Sequence, residues 1–252
     1  SGIPVEEITF ISGTLYRTKD RERPYQAIFL PSYDEVVSSK EKYGESFKIQ
    51  YENTDSKSGR TLVEQYDTVF VVQNPPMDIL SQQELDDVYD IEYMDDYHPI
   101  YKDLGGIPAL KEMKFSITSV RGCFGGCSFC ALNFHQGRII QSRSHESILS
   151  EVEKIKNDKD FKGYIHDVGG PTANFRIKAC KKQEKNGACI NKECLTPEKC
   201  KNLQVDHSDY IGLLRKIRKT EGIKKVFIRS GIRYDYAIYD NNDEFIEELC
   251  KH

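Results

Sequence analysis

The sequence predicts an α/β protein in two parts: an α+β region over residues 1–112, then three strand–helix units over residues 113–252. Three observations carry that reading. After Met113, short β-branched runs alternate three times with amphipathic helical stretches, as parallel strands joined by helical crossovers do. Before Met113 there is a hairpin pattern and a capping box, with no repeated alternation. The charge also turns over: residues 1–112 hold 11 Lys and Arg against 22 Asp and Glu, and the remainder holds 25 against 18. Three units cannot close a barrel. The second part is therefore either a small open sheet or a partial barrel whose later strands lie beyond His252.

Along the chain, Pro31-Ser32 opens a polar stretch to Glu52 that carries Val36, Val37, Tyr43 and Phe47 and predicts an amphipathic helix. Residues 61–63 and 68–72 flank a turn at Tyr66-Asp67 and predict a hairpin, ended by Asn74-Pro75-Pro76. Ser81, with Glu84 three residues on, is a capping box for a short helix bearing Leu85, Val88 and Tyr89. An acidic, tyrosine-rich connector leads to Glu112.

Residues 115–120 predict the first of the three strands, running directly into a cysteine-rich loop. Ser144 is placed to cap the next helix, with Glu146 in its first turn and Ile148, Val152 and Ile155 on one face. Residues 164–168 predict the second strand, ending in Gly169-Gly170-Pro171. Ser208 opens a helix striped by Ile211, Leu214 and Ile217 and stopped by Gly222. Residues 225–228 predict the third strand, ended by Ser230-Gly231. Asn242 or Asp243 begins a last helix with Phe245, Ile246 and Leu249.

With 252 residues, 38% hydrophobic and 30% charged, the chain can bury a core and suits a water-soluble fold. No apolar run approaches the ~20 residues of a membrane-spanning helix, so no membrane partner is expected. Residues 1–10 lack the basic start and apolar centre of a secretion signal. They also lack an initiating Met, so the chain reads as a piece of a longer protein. Its eight cysteines are grouped: Cys123, Cys127 and Cys130, then Cys180, Cys189, Cys194 and Cys200, with Cys250 apart. Grouped thiols at this length, without a secretion signal, point to metal in a reducing, cytoplasmic setting. The basic second part admits an anionic partner such as RNA, although two ordinary solvated surfaces account for the same charge.

Three thiols fall within the eight residues of CFGGCSFC, residues 123–130, with no fourth cysteine nearby. Structural zinc sites take four ligands, commonly as two C-x-x-C pairs, whereas the spacing here is C-x-x-x-C-x-x-C. Two arrangements meet that count. His135 completes a zinc site, or three thiolates hold a [4Fe–4S] cluster with one iron left open for a chelating ligand. Gly125 and Gly126 let the backbone curl around such a cluster and aim N–H groups at its sulfides.

CFGGCSFC resembles the cluster loop of the radical S-adenosylmethionine (SAM) superfamily, in its cysteine spacing, its preceding strand and the aromatic residue before the third cysteine. The runs CFGGCSFCALNFHQGRIIQSRS, GYIHDVGGPTANF and KVFIRSGIRYD, with FKIQYEN and VVQNPP upstream, are similar to the YgiQ-type proteins of that superfamily. The resemblance covers nearly the whole chain, from about residue 30 onward. It implies a partial radical-SAM-type barrel and a cluster on Cys123, Cys127 and Cys130 whose open iron chelates the methionine moiety of SAM. It implies that Phe129 lies near the adenine, where the plainer reading makes it a core residue. It further implies that Gly169 and Gly170 offer backbone groups to SAM. The acidic residue usual after that glycine pair is Pro171 here, so its side-chain contact does not carry over.

The implied reaction is reductive cleavage of SAM to methionine and a 5'-deoxyadenosyl radical, driven by an electron donor such as a flavodoxin or ferredoxin. The radical takes hydrogen from a substrate that the resemblance does not name. The alternative function is a non-catalytic zinc-binding module, binding RNA through its basic half.

Cys180, Cys189, Cys194 and Cys200 follow the second strand in a Lys-, Asn- and Gly-rich loop that is expected to be mobile without metal. Their spacing matches no compact zinc motif, and they offer a second metal or iron–sulfur site, or disulfides on oxidation. Ser230, Arg233 and Asp235 follow the third strand on the same side as the cluster loop. Ser230 and Arg233 are candidate cofactor contacts, Arg233 either gripping an anion bidentately or pairing with Asp235. Asn133, His135 and Arg138 lie just past the cluster loop as pocket candidates, and His166 and Asp167 are polar positions within the second strand.

Overall fold

The fold, given by a computed structural model that describes residues 2–22, Pro24 and residues 26–252, divides into two units. The first comprises Ser1–Ile79, Asn133–Gly137 and Lys182–Lys192; the second comprises Leu80–Leu132, Arg138–Lys181 and Glu193–His252.

Strands β1 (Leu15–Thr18) and β2 (Ile28–Phe29), helices α1 (Tyr33–Ser38) and α2 (Lys40–Glu52), and strands β3 (Leu62–Tyr66) and β4 (Val69–Gln73) build the first unit. The predicted hairpin is β3–β4, paired antiparallel across a turn in which Asp67 adopts φ 51°. β1 adds antiparallel to β4 and β2 adds parallel to β3, giving the order β1-β4-β3-β2. Val63, Phe70 and Val72 form its core. The single helix expected up to Glu52 is two. Ser39 leaves the helical conformation at φ −140° and caps α2 by accepting from the Lys42 N–H at 3.3 Å. Serine favours such local hydrogen bonds over a place in a helix interior, which explains the break.

In the second unit lie α3 (Gln82–Asp90), α4 (Leu110–Met113), β5 (Ser116–Thr118), β6 (Val120–Arg121) and α5 (Leu132–His135), which crosses into the first. Then come β7 (Gln141–Ser142), α6 (His145–Lys156), β8 (Tyr164–Ile165), β9 (Asp167–Gly169), α7 (Lys181–Asn186), which again crosses, and α8 (Ser208–Lys219). β10 (Lys225–Val226), α9 (Tyr234–Ala237) and α10 (Glu244–Leu249) complete it.

The three predicted strands are parallel neighbours. β9 pairs with β5 and β8 pairs with β10, because the middle strand is interrupted at His166 and each half serves a different side. Backbone bonds from His166 N to Phe115 O (2.9 Å) and from Phe227 N to Ile165 O (2.9 Å) continue both pairings. The α/β class holds, and the described residues form an open arrangement with no closed barrel.

Helices α6, α8 and α10 bury their apolar faces on these strands. Ile148, Val152, Leu213, Leu214, Ile217 and Phe245 pack with Ile117, Ile165, Val168 and Val226. Full burial of each such aliphatic side chain contributes about 1.5–3 kcal/mol. Ser144 caps α6 as expected, accepting from Ser147 N at 3.0 Å. The α3 capping box is present, but the stretch from Leu80 to Glu112, placed with the N-terminal region by sequence, packs with the second unit. Leu85 is buried there, and Asp86 accepts from Ser144 N at 3.0 Å. None of the described helices is long and apolar enough to cross a membrane.

Candidate functional site

Parallel pairing brings the C-terminal ends of the three strands to one edge, and the cysteine loop leaves the first of them. Phe124 anchors that loop: it is fully buried and stacked on Phe175 at 3.8 Å between centroids, with the Tyr236 ring edge-on at 5.8 Å. Cys123 beside it is buried, and its Sγ lies 3.5 Å from Thr172 Oγ1, just past the end of the second strand. Sγ of Cys123 also accepts from the Gly125 N–H at 3.4 Å.

Gly126 takes φ +66°, a left-handed conformation suited to glycine. A Cβ there would stand 1.6 Å from Glu193 Oε2, so the Glu193 carboxylate lies against the loop backbone. Cys127 and Cys130 are partly exposed. Phe129 is 90% exposed in this chain.

The second and third strand ends are tied through Asp167. Its Oδ1 accepts from Arg229 N at 2.8 Å and Ser230 N at 3.1 Å, and its Oδ2 accepts from the Ser230 hydroxyl. Ser230 Oγ in turn accepts from Gly170 N at 3.3 Å. Glycine is required for this approach: a Cβ on Gly169 would stand 2.1 Å from Ser230 Oγ, and one on Gly170 would stand 2.5 Å from Val120 O.

Arg233 makes the ion pair that the sequence offered as one of two readings. Its Nε donates to Asp235 Oδ1 at 2.8 Å and its Nη2 donates to Asp235 Oδ2. Its Nη1 donates to Cys127 Sγ at 3.3 Å. Hydrogen bonding to Asp235 raises the Arg233 pKa further; burial opposes this, and the nearby Cys127 and Cys123 support it. Asp235 is correspondingly lowered by Arg233.

Sequence reasoning missed what holds Arg233. Asn174 clamps its backbone, accepting from Arg233 N at 3.0 Å and donating to Arg233 O at 3.2 Å. The other Asn174 amide hydrogen points at His207 Nε2, 3.1 Å away, and His207 Nδ1 is bonded to Asp240. Burial lowers the His207 pKa, outweighing Asp240. The ring is therefore neutral, with its proton on Nδ1 toward Asp240 and Nε2 free to accept. Asn174 and His207 are both buried.

Cys180, Cys194 and Cys200 belong to the second unit and Cys189 to the first. Among the described residues no group of three or more His, Cys, Asp or Glu side chains is gathered closely enough to hold a metal ion, in either cysteine set. Parts of the loop carrying the second set are packed. Phe175, Ala179 and Leu195 are buried with Phe124 and Tyr236, and Cys194, Leu203 and Val205 pack against them. Of the pocket candidates, Arg138 reaches the cluster loop indirectly, its Nη2 lying 3.2 Å from Glu193 Oε2. Asn133 and His135 fall in the first unit, and the His166 ring packs edge-on against Phe115.

A family model described as Radical SAM N-terminal matches residues 1–116, ending before the cysteine loop. A UPF0313 protein of Clostridium botulinum (strain ATCC 19397 / Type A) is 59% identical over 251 residues, 100% of this chain and 39% of the relative. A UPF0313 protein of Clostridium perfringens (strain ATCC 13124) is 54% identical over 252 residues, 100% of this chain and 38% of the relative. The chain thus spans about two fifths of the length of the curated relatives it matches.

Proposed function

This chain belongs to the UPF0313 group of the radical SAM superfamily, and on that premise we propose that it is the cofactor-holding part of a radical SAM enzyme. Cys123, Cys127 and Cys130 hold a [4Fe–4S] cluster in this reading. The observation that carries it is the position of the cysteine loop. It leaves the first of three parallel strands, with Cys123 Sγ 3.5 Å from Thr172 Oγ1 in the turn that follows the second. The donor set suits the group: three soft thiols and no fourth cysteine on the loop, the Gly125 amide turned toward Cys123 Sγ, and a guanidinium beside Cys127.

The cluster and SAM together supply reductive cleavage to methionine and a 5'-deoxyadenosyl radical, with one electron from a flavodoxin- or ferredoxin-type donor. The chain's own residues bind and orient. The exposed ring of Phe129 offers a stacking surface for adenine. Gly169 and Gly170 keep the second strand end free of side chains, and Ser230 fixes it by bonding Gly170 N and Asp167. A reducing, cytoplasmic setting accompanies this chemistry.

The test is SAM turnover by the full-length protein, reduced under anaerobic conditions. Formation of 5'-deoxyadenosine by the wild type, and its loss in Cys127→Ala, is the expected result. Equal product from both proteins would overturn the reading.

A further inference from the structure

We infer that Arg233 is a built-in counter-ion of the cluster, donating from Nη1 to the Cys127 thiolate and thereby making the cluster easier to reduce. The inference rests on the proposed cluster site and adds to it a residue that sets the potential. Three observations and one electrostatic argument support it.

First, the guanidinium is committed edge by edge. Asp235 takes Nε and Nη2, which leaves Nη1 aimed at Cys127 Sγ, 3.3 Å away. A planar fork gripped on one edge is held in orientation, unlike a free lysine ammonium.

Second, the backbone of Arg233 is pinned from both sides by Asn174, whose remaining amide hydrogen is taken by His207. Asn174 and His207 are positioning residues, buried and fully engaged, and Asp240 fixes the tautomer that lets His207 Nε2 accept.

Third, the loop makes room for the cation. A Cβ on Gly125 would stand 2.4 Å from Arg233 Nη1, so the glycine between Cys123 and Cys127 is the opening through which the guanidinium reaches sulfur.

Fourth, the sign of the effect follows from charge. A cluster on three thiolates is anionic and gains one further negative charge when it takes one electron from a low-potential one-electron carrier. A fixed positive charge and a hydrogen bond at a ligand sulfur stabilise the more negative state more, which raises the reduction potential.

The experiment is a redox titration of the reconstituted full-length protein without SAM, followed by the visible absorbance of the cluster, with iron counted in every sample. Arg233→Gln is expected to disfavour reduction by about tenfold, ~59 mV more negative for a one-electron couple. Gly125→Ala should shift the potential in the same direction by displacing Nη1. Combined with Arg233→Gln it should add little, since both changes remove one interaction. Asn174→Ala should give a smaller shift of the same sign.

Wild-type potential in Arg233→Gln with normal iron content would overturn the inference while leaving the cluster site standing. So would a variant whose only defect is weaker SAM binding, because that would make Arg233 a contact for the SAM carboxylate. Should Arg233→Gln fail to hold iron, Gly125→Ala decides: an unshifted potential there overturns the inference. Absence of iron from the wild type would overturn the cluster assignment itself, and this inference with it.

Discussion

Phe124 stacks on Phe175 with 3.8 Å between ring centroids and 12° between planes, both side chains fully buried. One ring belongs to the cysteine loop and the other to the segment after the second strand, so the stack fastens the two loops that frame the candidate site. Phe124→Ala empties that contact and should cost about 3–5 kcal/mol, as large aromatic deletions in cores do. Denaturant unfolding measures it. A loss below 1 kcal/mol would show that the loop is held by something else.

The junction of the second and third strands yields a steric prediction. Gly169→Ala drives a Cβ to within 2.1 Å of Ser230 Oγ and 2.4 Å of Ser230 Cβ. Overpacking of this kind costs about 1–3 kcal/mol. Ser230→Gly removes both atoms, so the double variant should be no less stable than Ser230→Gly alone. Additive losses in thermal denaturation would rule out that contact as the cause.

Glu248, on α10, makes stability depend on acid. Burial alone would raise its pKa, but hydrogen bonds from Arg218, Arg215 and His252 hold it down to about 2, against an ordinary 4.5. A lowered folded-state pKa gives stability that is fully present above 4.5 and is lost as pH falls toward 2. Glu248→Gln lacks that titration. Its stability should lie below wild type at neutral pH, and the gap should narrow as pH drops through this window. Parallel profiles of unfolding free energy against pH would refute the assignment.

The three strand–helix units are legible in the sequence because each helix carries an apolar stripe, such as Ile148 with Val152, that needs a sheet to cover it. The two-residue strands β2 and β7 are not legible, being too short to display any alternation. Nor is the split of the middle strand at His166, which depends on which neighbour each half meets. At the site, the cysteine loop and the strand-end glycines stand out as motifs. The clamp on Arg233 does not: Asn174 lies 59 residues from Arg233 and His207 lies 33 from Asn174, and a lone Asn or His in sequence carries no sign of such a bond. The Glu193 carboxylate against Gly126 is equally hidden, since chain folding alone brings them together.

The claim that Cys123, Cys127 and Cys130 hold a [4Fe–4S] cluster is tested most directly by counting iron and acid-labile sulfide in anaerobically purified full-length protein, beside Cys123→Ala. The wild type should be brown and carry at least one four-iron cluster, with the broad visible absorption of thiolate-bound iron. Cys123→Ala should lose that cluster while keeping the wild-type circular dichroism. Colourless wild-type protein carrying zinc, or a Cys123→Ala variant with undiminished iron, would contradict it.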